Sequence, residues 1–180
     1  MQVNRTDLDG VLLLTPQVFE DARGFFLESW NQRAFDRAMG KTVGFVQDNF
    51  LHSKRGVLRG LHYQVAPAAQ GKLVFVLSGS IFDVVVDVRP ASAAFGKWIG
   101  LELKAESHTM VWIPEGFAHG FLVTSDTADV AYKTTGFYSP EHERRIRWDD
   151  PDLNIAWPLQ GATPFLSSKD ANAASLAEPA

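Results

Sequence analysis

From Val43 to Phe137 the chain runs as short apolar segments separated by turn residues, about every eight to twelve positions, and no stretch keeps a helical period. Strands are predicted from Val43 to Ser53, Gly56 to Gln64, Gly71 to Gly79, Ile81 to Arg89, Gly96 to Lys104, His108 to Ile113, Phe117 to Val123 and Asp129 to Phe137. Ser78-Gly79-Ser80 has hairpin composition. Upstream, Val11 to Leu14 is a first strand ended by Thr15-Pro16. Phe19 to Gly24 reads as a turn, and Gly24 to Trp30 as an aromatic-rich second strand. Asn31 to Gly40 predicts a short helix, with Asn31 as N-cap, Gly40 as stop, and Phe35 and Met39 on its buried stripe. Ser139 to Pro151 is charged and aromatic. The chain after Trp157-Pro158 is loop-like, and Ala171 to Ala180 reads as a poorly ordered, flexible tail. The pattern excludes a doubly wound α/β fold and predicts an all-β sandwich or barrel, as one domain over 1–180.

Composition sharpens this picture. With 13 Phe and 5 Trp against 3 Met, the interior suits packed sheets. A net charge of -4 carries no basic footprint for a nucleic acid, so no such partner is expected. The absence of cysteine excludes disulfides, thiolate metal sites and a cysteine nucleophile, and fits a reducing compartment. The polar, acid-bearing start from Met1 to Asp7 is not a signal peptide. No apolar run approaches the ~18 residues of a membrane span. A soluble, cytoplasmic protein without a membrane partner is expected.

The candidate chemistry starts at Gly56-Val57-Leu58-Arg59-Gly60-Leu61-His62-Tyr63-Gln64. Strict alternation puts Leu58, Gly60, His62 and Gln64 on one face and Arg59, Leu61 and Tyr63 on the other. His62 is then either a core histidine satisfied by a hydrogen bond or part of a pocket wall. A second histidine, His119, stands in Pro114-Glu115-Gly116-Phe117-Ala118-His119-Gly120-Phe121. A glycine-rich strand with a histidine, followed later by Pro-x-Gly-x-x-His, resembles the paired motifs of cupin barrels. Metal cupins carry His-x-His in the first motif, where this chain has His62-Tyr63-Gln64. A pocket without metal is therefore expected. A neutral imidazole is a base suited to neutral pH. Tyr132 can supply a proton, and Lys72 and Arg59 are strand-borne cations that would meet an anion or oxyanion. Base, acid and cation around a cleft are the set needed for proton transfer α to a carbonyl. Each has a plainer alternative: Tyr132 as a core tyrosine, Lys72 paired with Asp83 or Glu102, Arg59 paired with an interior acid. His52, His108 and His142 are read as non-catalytic. Arg144, Arg145 and Arg147 are read as a solvated face.

Phe19-x-Asp21-x-Arg23-Gly24-x-Phe26-x-Glu28, Gln47-x-Asn49, the Gly56–Gln64 run, Gln70-Gly71-Lys72-Leu73-Val74, Asp83-Val84-x-Val86-Asp87-x-Arg89, Ile113-Pro114-x-Gly116-Phe117-Ala118-His119-Gly120-Phe121, Tyr132-Lys133 and Trp148-Asp149-Asp150-Pro151 together resemble the dTDP-4-dehydrorhamnose 3,5-epimerases, over nearly the whole chain and in the family's order. The resemblance implies a cupin-type jelly-roll with a few short helices. It implies a cofactor-free isomerase that inverts carbons 3 and 5 of dTDP-4-dehydro-6-deoxy-D-glucose, giving dTDP-4-dehydro-L-rhamnose. It implies His62 as base, Tyr132 as the acid on the opposite face, at least for carbon 5, Lys72 on the enolate oxygen, and Asp170 fixing the tautomer of His62. Asp83 stays open as the alternative orienter. Arg59 and His119 are expected to contact substrate. Arg23, Glu28, Gln47, Asp48, Asn49, Glu143 and Lys169 are expected to bind the nucleotide sugar, with Tyr138 stacking on thymine. Arg23 and Glu28 would reach across a homodimer interface made by the N-terminal strands. A relative inverting one carbon, a non-catalytic sugar-binding cupin and a metal cupin oxygenase are the competing readings. The end product, cell-envelope rhamnose such as lipopolysaccharide O-antigen or an antibiotic sugar, stays open. Arg59 is the awkward residue: either the strand bulges near Gly60, or Arg59 reaches the pocket around an edge.

Overall fold

Antiparallel strands dominate the computed structural model, which describes residues 1–177. In chain order the elements are β1 (Gln2–Arg5), β2 (Leu12–Thr15), β3 (Val18–Asp21), β4 (Gly24–Leu27), α1 (Gln32–Met39), β5 (Gln47–Lys54), β6 (Leu58–Gln64), β7 (Lys72–Ser78), β8 (Ser80–Asp87), β9 (Trp98–Lys104), β10 (Met110–Ile113), β11 (Phe117–Val123), β12 (Thr127–Thr134), β13 (Glu143–Arg145) and α2 (Ser168–Ala171). One sheet has the order β1-β2-β10-β7-β12-β5, and a second has β13-β6-β11-β8-β9. β3 and β4 form a separate hairpin. The two larger sheets pack face to face in the all-β, cupin-type jelly-roll arrangement expected.

Three apolar layers explain why alternation along the strands is weak. Between the sheets lie Val74, Val76, Ile81, Val85, Val111 and Phe121. The outer face of the second sheet, with Leu58, Leu61, Val84 and Leu122, is covered by Ile146, Leu153 and Trp157. The outer face of the first, with Leu14, Leu73 and Met110, is covered by Phe35 of α1 and Val43. Central strands are thus buried on both faces, and every residue of β11 is buried. α1 forms as read: the Asn31 side chain accepts from the Ala34 N–H at 3.0 Å, and Gly40 closes the helix at φ +67°.

Several expectations need correction. Phe19 to Gly24 is the hairpin of β3 and β4, with Asp21 opposite Gly24. β1 and β13 had no apolar pattern to reveal them, because both are polar edge strands held by backbone pairing. The expected loose tail is held over 171–177. The Ala174 carbonyl accepts from the Arg147 N–H at 2.8 Å, and the Leu176 N–H donates to Asp150 Oδ2 at 2.7 Å. The second sheet's outer apolar face needs this cover. Residues 178–180 of that tail lie outside the described residues.

Candidate active site

The opening motif departs from strict alternation. His62 pairs with His119 across the β6–β11 ladder, yet the next pairs are Arg59 with Phe121 and Leu58 with Leu122. Gly60 and Leu61 together face the single residue Gly120, which is a β-bulge. Gly60 has φ +117°, and a Cβ there would stand 2.5 Å from the Gly120 Cα and 2.7 Å from the His119 carbonyl oxygen. Only glycine fits both the angle and the gap. The bulge turns Arg59 and His62 to the interior, while Leu58 and Leu61 both join the outer layer. This corrects the period-two reading, which set Arg59 opposite His62, and it selects the bulge over the edge route.

Past the bulge, the interior opens into a cavity of about 260 Å³ lined by Gln47, Asn49, His62, Lys72, Tyr132, Tyr138 and Glu143 among others. His62 Nε2 lies 2.5 Å from Asp170 Oδ1. Asp170 is the third residue after Ser167, the N-cap of α2. The Ser167 hydroxyl accepts from the Asp170 N–H at 3.1 Å and donates to Asp170 Oδ2 at 2.7 Å. Burial opposes ionisation of Asp170. The His62 hydrogen bond and charge, Ser167 and the Gly60 backbone outweigh it and hold the carboxyl below its ordinary value. An ionised Asp170 keeps the imidazole proton on Nε2 and leaves the Nδ1 lone pair free.

Tyr132 and Lys72 come from β12 and β7, in the sheet opposite His62. Burial pushes the Tyr132 phenol up; Arg59 pulls it down, and Glu143 and Tyr138 add to the rise. The net rise keeps it protonated at neutral pH. Lys72 Nζ crosses the barrel and donates to the His62 carbonyl oxygen at 3.1 Å. Desolvation lowers its pKa from 10.5 to about 8, against the opposing charges of Asp83 and Glu143. Keeping this cation costs on the order of 3 kcal/mol of folding stability at neutral pH, relieved as pH rises from about 8 through the unfolded value.

Other named residues separate into two groups. Gln47 accepts from the Tyr138 N–H at 3.0 Å and donates to Asn49 at 2.9 Å, and the Tyr138 hydroxyl donates to Glu143 at 3.3 Å. Arg59 Nε donates to Ser53 Oγ at 3.1 Å. His119 is buried, with Nε2 at 2.7 Å from Asp83 Oδ2. Of the two acids considered for His62, it is therefore Asp170 that meets it, and Asp83 meets His119. Outside the cavity, Asp48 projects from the outer face of β5 to Lys133 at 2.8 Å, because alternation turns it away from Gln47 and Asn49. Its expected place beside them does not hold within this chain. Arg23 sits at the β3–β4 hairpin tip, paired with Asp21 and 90% exposed, and Glu28 and Lys169 are exposed.

Three residues near the cavity escaped sequence reading. Ser167 was signalled by the helix-capping spacing Ser167-x-x-Asp170. Gln64 is buried; its amide donates to the Ala68 and Phe137 carbonyls and accepts from the Ser139 N–H, fixing the loop that carries Tyr138. Arg145 is half-buried, not solvated: it pairs with Glu143, and its register partner is His62. Burial opposes ionisation of Glu143, but Arg145, His62 and Lys169 hold its pKa below the ordinary range. Among the described residues, no group of three His, Cys, Asp or Glu side chains is placed to hold a metal.

Comparison with known proteins agrees with this geometry. The family model for dTDP-4-dehydrorhamnose 3,5-epimerase matches residues 5–178. The chain belongs to that family. It is 55% identical to the dTDP-4-dehydrorhamnose 3,5-epimerase of Shigella flexneri, over 96% of this chain and 94% of the relative. It is 55% identical to that of Pseudomonas aeruginosa, over 99% and 97%. The crystal structure of the 3,5-epimerase of Legionella pneumophila Philadelphia 1, solved with dTDP-4-keto-L-rhamnose, superposes with a TM-score of 0.93 at 49% identity, covering 98% of this chain and 93% of that one. The jelly-roll is thus shared with that relative.

Proposed function

We propose that this 3,5-epimerase works through His62, Lys72, Tyr132 and Asp170, acting on dTDP-4-dehydro-6-deoxy-D-glucose in the cavity between the sheets. The observation that carries the reading is His62 on one sheet and Tyr132 and Lys72 on the other, all lining one cavity. The C4 ketone acidifies the protons on C3 and C5. His62 Nδ1 takes the proton from one of these carbons, and the electron pair moves into the C4 oxygen as an enolate. Lys72 stabilises that oxyanion. Tyr132 delivers a proton to the opposite face of the carbon, inverting it. Water then returns the Tyr132 proton, and His62 releases its own to solvent. Repetition at the second carbon gives dTDP-4-dehydro-L-rhamnose. The C4 ketone acidifies both protons and accepts the electron pair, so the side chains suffice without a cofactor.

Arg59 and His119 hold the sugar. Gln47, Asn49, Tyr138 and Glu143 hold the nucleoside, with Tyr138 against thymine. Asp48, turned outward to Lys133, is left out of the site; Lys169 meets the diphosphate, as does Arg23, while Glu28 accepts from the nucleoside. The last two act from a partner protomer across a homodimer in which the exposed Phe19, Phe25 and Phe26 of the N-terminal hairpin are covered. The reading places the enzyme in the cytoplasm. NMR of the purified protein with substrate in deuterium oxide tests the function. Deuterium is expected at both C3 and C5; exchange at one carbon alone would make it a single-site epimerase, and no exchange would remove the enzyme reading.

A further inference from the structure

Asp83 is a buried charge for which the reaction above has no use. It stands on β8 between Ile81 and Val85 and is 0% exposed. Its Oδ2 accepts from His119 at 2.7 Å, while its Oδ1 is buried with no hydrogen-bond partner among the described residues. A carboxylate left half-satisfied inside an apolar layer is costly, and a hydrophobic residue would fill the same space more cheaply. Its surroundings suggest a purpose. His119 pairs in register with His62, and Lys72 donates to the His62 carbonyl. Asp83, His119, His62 and Lys72 are thus linked across the barrel.

We infer that Asp83 is a positioning residue for the epimerisation: it fixes the His119 ring and is the buried counter-charge that holds Lys72 in its cationic form. This rests on Lys72 being the cation at the enolate oxygen. The titratable and charged groups around the Lys72 end of the cavity are Arg59, His62 and Tyr63 on β6, Asp83 on β8, His119 on β11, Tyr132 on β12, Tyr138 in the loop after it, Glu143 and Arg145 on β13, and Asp170 on α2. Glu143 is offset by its Arg145 partner, and Asp170 has both oxygens engaged. Asp83 alone among these carboxylates combines full burial with an unengaged oxygen, and a charge in that setting acts on its neighbours with little screening. Lys72, whose pKa is already lowered to about 8, depends on such an opposing charge.

The test is kcat/KM against pH for wild type, Asp83→Asn, Asp83→Glu and Lys72→Arg, because this ratio reports the ionisations of the free enzyme. Wild type is expected to lose activity as pH rises through about 8. Lys72→Arg, whose guanidinium does not titrate there, is expected to lack that limb. Asp83→Asn is expected to move the limb to lower pH by about half a unit or more, so that its activity at pH 8 falls about twofold or more beyond any loss at about pH 6. Asp83→Glu is expected to return the limb towards wild type. A uniform loss in Asp83→Asn with the limb unmoved, or a limb that survives in Lys72→Arg, overturns the inference. Absence of exchange in wild type would instead remove the epimerase reading beneath it. If Asp83→Asn does not fold, a second variant decides. The Lys72 limb itself is then read in Asp83→Ser, which removes the charge with a smaller side chain, and a limb unmoved in that variant overturns the inference.

Discussion

Two histidine–carboxylate pairs lie side by side in this barrel and are built differently. In the His62–Asp170 pair the imidazole is 32% exposed to the cavity, and its aspartate has both oxygens engaged. In the His119–Asp83 pair the side chains are 8% and 0% exposed, and one aspartate oxygen is unengaged. A group that must gain and lose a proton in every turnover needs contact with substrate and water, and a partner whose charge is satisfied in both states. The first pair opens to the cavity and has such a partner. The second is buried and its carboxylate is only half engaged, which suits a fixed charge rather than a proton carrier. Identical side chains are separated in role by burial and by the supply of donors.

The largest expected effect is on His62. His62→Ala should lower deuterium exchange at both C3 and C5 by about 10³-fold or more while dTDP binding survives; retained exchange would move the base to His119 and erase the contrast. Asp170→Asn comes next. It should lower kcat by about 10²- to 10³-fold with little change in KM, because it leaves the imidazole without its tautomer guide. It also tests linkage. A carboxyl held below its ordinary value contributes stability that is full above its unfolded pKa near 4 and is lost as pH falls through the folded one. The urea midpoint of Asp170→Asn should therefore depend less on pH below about 5 than that of wild type. Tyr132→Phe should slow inversion by about 10²-fold while His62 still exchanges protons on its own face, seen as deuterium entering with retained configuration. Gly60→Ala should destabilise the fold by roughly 3 kcal/mol in urea titration, since both the backbone angle and the approach of Gly120 oppose a Cβ. The smallest effect is that of Ser167→Ala, a loss of about 1 kcal/mol of capping and a several-fold drop in kcat; a change as large as that of Asp170→Asn would show that Ser167 does more than aim the carboxylate.

Much of this molecule was legible in its residues because the signals were local. Apolar runs between turn residues marked the central strands, Asn31 and Gly40 bounded α1, and the motif around His62 marked one wall of the cavity. Tertiary structure decided the rest. The bulge at Gly60 is a relation between β6 and β11: period two within one strand cannot show that two residues face one Gly120. The partner of His62 lies 108 residues away and arrives on a helix of four residues, too short to carry a periodic signal. β1 and β13 are held by backbone hydrogen bonds that any side chains permit. Sequence by itself therefore determined which segments could be strands and which side chains could move protons. Only the packing of the two sheets decided which carboxylate meets which histidine, because burial and cross-strand register belong to no single segment.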